Sequence, residues 1–357
     1  MPLKFAVVGA GRMGKLHARI LSEMEQVQLV AVVDVNAAAA ESLAAQRRCR
    51  AATDVAAIVA DVDAAIIAVP TVHHAEVAEP FLKAGKPVLI EKPLSDNLPA
   101  ARALIDLAHR HHALVQVGHA ERFNPAVQAM RKYAIEPKFI ESHRISPYTF
   151  RSTDVGVVLD MMIHDLDIVL MLAGPTEVDH LDAVGVNVIG SSEDIANARI
   201  VFRNGCVADI TASRVAIKTE RKIRLFSEHA YLSVDYQARK GLVVKKSANL
   251  DLIQMARKMG VQDLAALAQV VDYKTLLNVE QLEVDDSVEP LRRQAEAFVH
   301  AILENVRPEV SAEDGLAALS LAQRIADAIK SHQWDGRPDG RVGPGLLAGS
   351  GEMGGTP

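Results

Sequence analysis

Residues 5–14 read FAVVGAGRMG: four apolar residues of strand character, then Gly9, Gly11 and Gly14 in G-x-G-x-x-G spacing at the start of an amphipathic stretch. This is the order in which a dinucleotide site is built. The first glycine permits a tight turn, the second lets backbone approach a pyrophosphate, and the third lets the helix pack close to the strand. The helix start, at Arg12 and Met13, offers free N–H groups to phosphate oxygens.

Asp34 closes the next apolar run, LVAVV at 29–33, twenty residues beyond Gly14. An acidic side chain there accepts from both ribose hydroxyls; the alternative is a cap on the following helix. A carboxylate about 4 Å from a 2′-phosphate costs roughly 4 kcal/mol at an effective dielectric near 20. No Arg or Lys follows Asp34 before Arg47. The expected cofactor is therefore NAD rather than NADP.

Outward from this motif, β-rich runs alternate with stretches of helical length: FAVV then 12–24, LVAVV then 36–47, AAIIAV then 73–84, PVLI then 99–112, and LVQV. Such alternation predicts an α/β domain, a doubly wound parallel Rossmann sheet over residues 1–119. Past Gly118 the texture changes. The segment ARIVFRNGCVADITAS at 198–213 carries Asn204-Gly205, a two-residue hairpin signal. Helical patterns at 154–173, 251–270, 289–305 and 312–331 accompany such strands, which predicts an α+β domain on an open, mainly antiparallel sheet over 120–335. The last 22 residues, 336–357, hold eight of the 21 glycines and no periodic apolar face, so a flexible tail is expected.

Composition narrows the function classes. Hydrophobic residues are 49% and charged residues 24% of the 357, the balance of a globular chain. A net charge of -6 supplies no basic field for a nucleic acid partner. Cys49 and Cys206 stand far apart with no CxxC or His pattern, so neither a disulfide framework nor a metal site is expected. The N-terminus enters a strand at once without an export signal, and runs such as AAIIAV are far short of the roughly 20 residues that span a bilayer. A cytoplasmic location and no membrane partner are expected.

In an open parallel sheet, ligands bind beyond the carboxyl ends of the strands. Glu91, Lys92 and Pro93 occupy that place after VLI, and the proline restricts the direction of Lys92. Alone, the pair also reads as solvated loop charges. Arg122 and Asn124 follow the last strand of the first domain, where lining a cleft and packing at the junction are both open readings. His109, His111 and His112 end a helix, where cations suit the dipole. Lys218, Arg221, Lys222 and Arg224 read as solvated strand residues, with a substrate diphosphate as the alternative.

Taken together and in order, AVVGAGRMG, AVPTVHH (68–74), EKPL, VGHAERFNP (117–125) and LDMMIHDLD (159–167) resemble the glucose-fructose oxidoreductase and inositol dehydrogenase family, Gfo/Idh/MocA. The resemblance covers about residues 3–331. It implies a nucleotide domain followed by an α/β domain whose open sheet often mediates assembly, so a homodimer or homotetramer is expected. It implies Lys92, Asp160 and His164 as catalytic and substrate-binding residues. It also places Pro70, Thr71, His74 and Glu91 with Lys92 close to the cofactor.

Where the family often has glycine between that Asp and His, this chain has Met162, expected to fill part of the pocket and disfavour inositols and free sugars. GHAERFNP, LDMMIHDLDIV and TASR (211–214) resemble the UDP-N-acetylglucosamine 3-dehydrogenase subgroup. The implied reaction is NAD-dependent oxidation of the 3-hydroxyl of that nucleotide-linked amino sugar, whose 3-keto product would suit an aminotransferase. The alternatives are an inositol, free sugar or other cyclic polyol as substrate and, in another class, a non-catalytic dinucleotide-binding regulator.

Asp160 and His164 are four apart, which puts them on one helical face with the carboxylate able to orient the imidazole as base. Lys92 then binds the reacting hydroxyl as a charged donor. Using Lys92 as the base instead means lowering a reference pKa of about 10.4 by roughly 3 units, about 4 kcal/mol. Asp165 and Asp167 read as helix-face charges, with Asp167 one turn from His164.

Overall fold

The computed structural model describes residues 1–133, 135–149, 155–246, 277–337 and 339–345. The chain forms two compact units, residues 1–123 with 288–323 and residues 124–287 with 324–357.

The first unit is the expected Rossmann sheet. Its strands are β1 (Leu3–Val8), β2 (Val27–Val33), β3 (Arg50–Ala52), β4 (Ala64–Ile67), β5 (Val88–Glu91) and β6 (Val115–Gly118), in the order β3-β2-β1-β4-β5-β6. All pairings are parallel, with Val8 opposite both Val33 and Ile67. Strands β4, β5 and β6 are buried along their whole length, which explains their unbroken apolar character. Helices α1 (Arg12–Ser22), α2 (Ala37–Arg47), α3 (His74–Lys83) and α4 (Leu98–Arg110) make the crossovers. The short strand β3 escapes the sequence reading because three residues carry no periodicity.

The linear domain division needs amending. Helix α7 (Pro290–Glu304), expected in the second domain, belongs to the first unit, where Phe298 meets Phe5 edge-on at 6.0 Å and Glu289 binds Arg19 of α1. Beyond it, Val310 O accepts from Val117 N and so covers the β6 edge. Periodicity found this helix, but a mostly local reading could not say which core it fills.

The second unit holds α5 (Pro125–Arg131), α6 (Ile163–Ala173) and eight strands. These are β7 (Phe139–Ile145), β8 (Val178–Val186), β9 (Ile195–Phe202), β10 (Val207–Ser213), β11 (Glu220–Phe226), β12 (Ala230–Asp235), β13 (Lys240–Lys246) and β14 (Leu277–Gln281). Their order is β14-β13-β12-β11-β7-β10-β9-β8, antiparallel throughout except for β7 with β10. The β9–β10 loop has three residues, not two: Phe202 pairs with Cys206 around Arg203, Asn204 and Gly205, and Gly205 takes φ +83°. That is the turn followed by a left-handed residue used by three-residue hairpins.

Helix α8 (Ala312–Ser331) matches its prediction. Part of the predicted tail is folded: Gln333 bridges Val342, and Trp334 Nε1 donates to Gly343 O. Residues 346–357 and the helix expected at 251–270 lie outside the described residues. No helix among the described residues is long and apolar enough to cross a membrane.

Candidate active site

The glycine-rich turn leaves β1 at the point where strand order reverses, between β1 and β4. Gly9 has φ +103°, and a Cβ on it would stand 2.4 Å from Ala68 O. At Gly14 a Cβ would meet Gly9 O at 1.7 Å, so helix α1 sits closer to the turn than any other residue allows. Gly11 differs, since a Cβ there would meet nothing within 4 Å. It is the N-cap of α1 and no side chain caps that end, which leaves open space in front of the helix. The surroundings therefore fit a pyrophosphate.

Asp34 does more than the two readings proposed for it. Its Oδ2 accepts from Ala10 N at 2.7 Å, inside the glycine-rich turn, and its Oδ1 accepts from Asn36 N at 2.9 Å. The cap of α2 is Asn36, whose Oδ1 accepts from Ala39 N, so capping is not the task of Asp34. An ionised carboxylate has about four acceptor positions. Two remain for ribose hydroxyls, and the two in use hold the loop in shape beforehand.

Glu91 ends β5 and is buried. Its Oε1 lies 2.7 Å from His17 Nε2, and a Cβ on Gly118 would stand 3.0 Å from its Oε2. Lys92 follows, half-buried, with a cis bond to Pro93. His74 is buried, with Nδ1 2.9 Å from Pro93 O and Nε2 3.0 Å from Val69 O. Burial pushes its pKa down from the ordinary histidine value, against smaller upward pulls from those carbonyls. Pro70 and Thr71 form the short 3₁₀ turn ahead of α3.

Arg122 and Asn124 are both buried. Arg122 Nη1 reaches Glu309 O at 3.4 Å and Asp314 at 3.8 Å. Asn124 caps α5, accepting from Ala126 N at 3.0 Å while its amide donates to Tyr236 O at 3.1 Å. These contacts favour the packing reading of the two residues.

In the second unit, Asp160 lies in a single π-helical turn, Val158–Met162, that leads into α6. Wide turns of this kind recur at functional sites, and periodicity did not reveal this one. Asp160 and His164 are half-exposed, whereas Met162 and Ile163 are fully buried. Met162 thus points into the core rather than filling a pocket.

Asp165 and Asp167 are also fully buried, which overturns their reading as helix-face charges. Asp165 takes Arg144 Nε at 2.5 Å and Nη2 at 3.2 Å, with Ser142 Oγ at 3.1 Å. The π turn is anchored separately. Arg214 donates to Asp194 at 2.7 Å and to Val155 O at 2.7 Å, while Glu193 accepts from Val157 N and Val158 N. Although burial pushes the Asp194 carboxyl up, Ile189, Val188 and Gly190 N–H groups and Arg214 bring it down to about 2.

Sequence reasoning missed Arg144 and Arg214 as supports, yet a signal existed. Ile140, Ser142 and Arg144 share the inward parity of β7, and Ala208, Ile210 and Ala212 of β10 lead by the same parity to Arg214. An arginine on the buried parity of a strand requires a buried carboxylate. By contrast, Arg224 binds Glu141 at 2.9 Å on the outward parity, as expected of a solvated face.

A family model described as the Gfo/Idh/MocA oxidoreductase family, NAD-binding Rossmann fold, matches residues 3–119, and the Gfo/Idh/MocA C-terminal domain matches residues 131–233. A UDP-N-acetylglucosamine 3-dehydrogenase of Acidithiobacillus ferrooxidans is 40% identical over 235 residues, 66% of this chain and 74% of that protein. The solved structure of that organism's UDP-N-acetylglucosamine 3-dehydrogenase GnnA superposes with a TM-score of 0.80 at 32% identity, covering 92% of this chain and 98% of the other. An inositol 2-dehydrogenase of Rhizobium meliloti is 28% identical over 342 residues, 92% of this chain and 97% of its own length.

Proposed function

This chain belongs to the Gfo/Idh/MocA oxidoreductase family with an NAD-binding Rossmann domain, and on that premise we propose that it oxidises the 3-hydroxyl of UDP-N-acetylglucosamine to the ketone. The observation that carries the substrate is the 40% identity to a dehydrogenase of that sugar nucleotide, against 28% to an inositol dehydrogenase. Preference for NAD over NADP rests on Asp34, whose carboxylate accepts from Ala10 N in the glycine-rich turn and would repel a 2′-phosphate.

Bound NAD supplies the hydride acceptor; the chain must supply the rest. The ammonium of Lys92 donates to the reacting oxygen and stabilises the negative charge that develops on it. The imidazole of His164 takes the hydroxyl proton, and the Asp160 carboxylate orients that ring and stabilises its protonated form. Carbon loses a hydride, oxygen loses a proton, and a carbonyl results. A ketone on an amino sugar is the substrate form an aminotransferase needs.

The outward parity of the second sheet supports assembly with a second copy. Phe139, Phe226 and Tyr231 stack there at 5.5 and 4.9 Å, partly exposed and flanked by Glu141 and Arg224. An aromatic patch rimmed by charge is the composition of a protein interface. The free thiols of Cys49 and Cys206 suit a cytoplasmic setting.

The test is NADH formation with UDP-N-acetylglucosamine, free N-acetylglucosamine and myo-inositol, for the natural protein and His164→Asn. Turnover confined to the UDP-sugar and lowered at least 100-fold by His164→Asn is expected. A protein active on inositol and silent on UDP-sugars would overturn the substrate assignment.

A further inference from the structure

Only one residue separates Glu91 from Pro93, and each of these neighbours of Lys92 is held by a different buried imidazole. His17 stands on the core face of α1 with Gly14, Ala18 and Leu21, at positions otherwise suited to small or aliphatic side chains. Its ring is fully buried, and its Nε2 meets the Glu91 carboxylate at 2.7 Å. Burying a polar ring costs free energy unless it makes hydrogen bonds, so packing alone does not account for a histidine here. Glu91 in turn has little freedom to move: the absent Cβ of Gly118 leaves the space its carboxylate fills, and His17 holds the same carboxylate.

On the other side of Lys92, both ring nitrogens of His74 are directed at main-chain carbonyls, Pro93 O and Val69 O. A neutral imidazole has a single N–H and donates to one of them at a time. Either way, the ring ties the residue after Lys92 to the exit of β4. A direct hydrogen bond from this ring to the cofactor would break one of those contacts, so its influence on the chemistry runs through the backbone.

We propose that His17 and His74 are positioning residues that clamp the backbone on either side of Lys92 and so fix where its ammonium group is presented. His17 does this from the helix whose N-terminus faces the pyrophosphate, which couples the phosphate-binding element to the residue that handles the substrate hydroxyl. Displacement of a reacting group by about 1 Å costs on the order of 100-fold in rate. The clamp therefore acts on kcat more than on cofactor affinity. This inference rests on the reading of Lys92 as the hydroxyl-binding cation.

The experiment compares His17→Leu, which removes the donor, with His17→Gln, which places an amide N–H near the former Nε2, each alone and combined with Lys92→Met. Turnover of UDP-N-acetylglucosamine, NADH affinity by fluorescence titration and thermal unfolding are measured on all. Expected are a kcat at least 10-fold lower in His17→Leu, recovery of most of it in His17→Gln, NADH affinity within 3-fold throughout, and no further loss when His17→Leu is added to Lys92→Met. Glu91→Met, which removes the acceptor, provides the same test from the other partner if His17→Leu does not fold.

Natural kcat in His17→Leu and Glu91→Met, with Lys92→Met impaired, overturns the clamp and leaves the role of Lys92 standing. Equal losses of stability and NADH affinity in both His17 variants also overturn it, since that pattern belongs to packing. If Lys92→Met itself turns over normally, the reading of Lys92 fails, and this result is distinct from the other two.

Discussion

Lys92 and His164 are presented by opposite means. Around Lys92 the supports are a close approach of Glu91 to Gly118, where a side chain would collide, and hydrogen bonds from two buried imidazoles. Around His164 they are ion pairs, Arg144 with Asp165 under the helix and Arg214 with Asp194 at its entry. The first kind of support is tied to recognisable motifs, the glycine-rich turn and EKP, although His17 and Glu91 stand 74 positions apart. The second joins residues 20 or 21 positions apart through a sheet. The comparison teaches where each half is vulnerable: the first to steric change and to protonation of imidazole, the second to loss of one member of a pair.

The largest expected effect tests the second half. Arg144→Ala leaves Asp165 buried without its guanidinium, and breaking such a pair costs about 3–5 kcal/mol. Urea unfolding read by a probe in the second unit should show that loss, while NADH affinity, a property of the first unit, stays within 3-fold. If Arg144→Ala unfolds no more easily than the natural protein, ion pairing is not what seats α6.

Acid should separate the two halves next. The folded pKa of His74 lies below its unfolded value near 6.5, so between the two the unfolded chain binds more protons. Stability of the first unit is then full above about 6.5 and declines as pH falls below it. For Asp194, the folded pKa of about 2 lies below the reference 3.8. Its contribution is present above pH 3.8 and lost as pH falls through about 2; at roughly 1.4 kcal/mol per unit this amounts to about 2 kcal/mol. Unfolding followed between pH 7 and pH 2 should show the first unit weakening before the second. His74→Gln should remove the upper step and Asp194→Asn the lower one.

Legibility in the sequence follows the same division. The parallel sheet and the glycine-rich turn could be read because hydrophobic alternation and glycine spacing are local signals, and Gly9 and Gly14 each have a steric reason of their own. Lys92 could be placed at a strand exit for the same cause. The destination of α7 could not be read, since Phe298 meets Phe5 across nearly the full length of the chain. Nor could Asp165 and Asp167, because an acidic residue on a helix has the same text whether it faces water or an arginine on a strand parity. The π turn is hidden by the assumption of regular helical spacing around Asp160, and the pocket role expected of Met162 comes from the family's glycine at that place, which says nothing of where a longer side chain points.

The smallest effect concerns Asn124, where the two halves of its amide point to structure rather than substrate. Its Oδ1 caps α5 through Ala126 N and its Nδ2 binds Tyr236 O. Loss of an N-cap costs about 1 kcal/mol. Asn124→Ala should therefore lower the free energy of urea unfolding by that amount, moving the midpoint down, with KM for UDP-N-acetylglucosamine unchanged. Asn124→Asp retains the cap oxygen but sets a second carboxylate oxygen against Tyr236 O in a buried place, so it should recover little of the loss. A KM raised 10-fold or more in Asn124→Ala, with the unfolding midpoint unmoved, would return this residue to the substrate and reduce the cap to a consequence of its placement. The order of the two readouts decides it, because a cap acts on every folded molecule and a substrate contact only on those that have bound one.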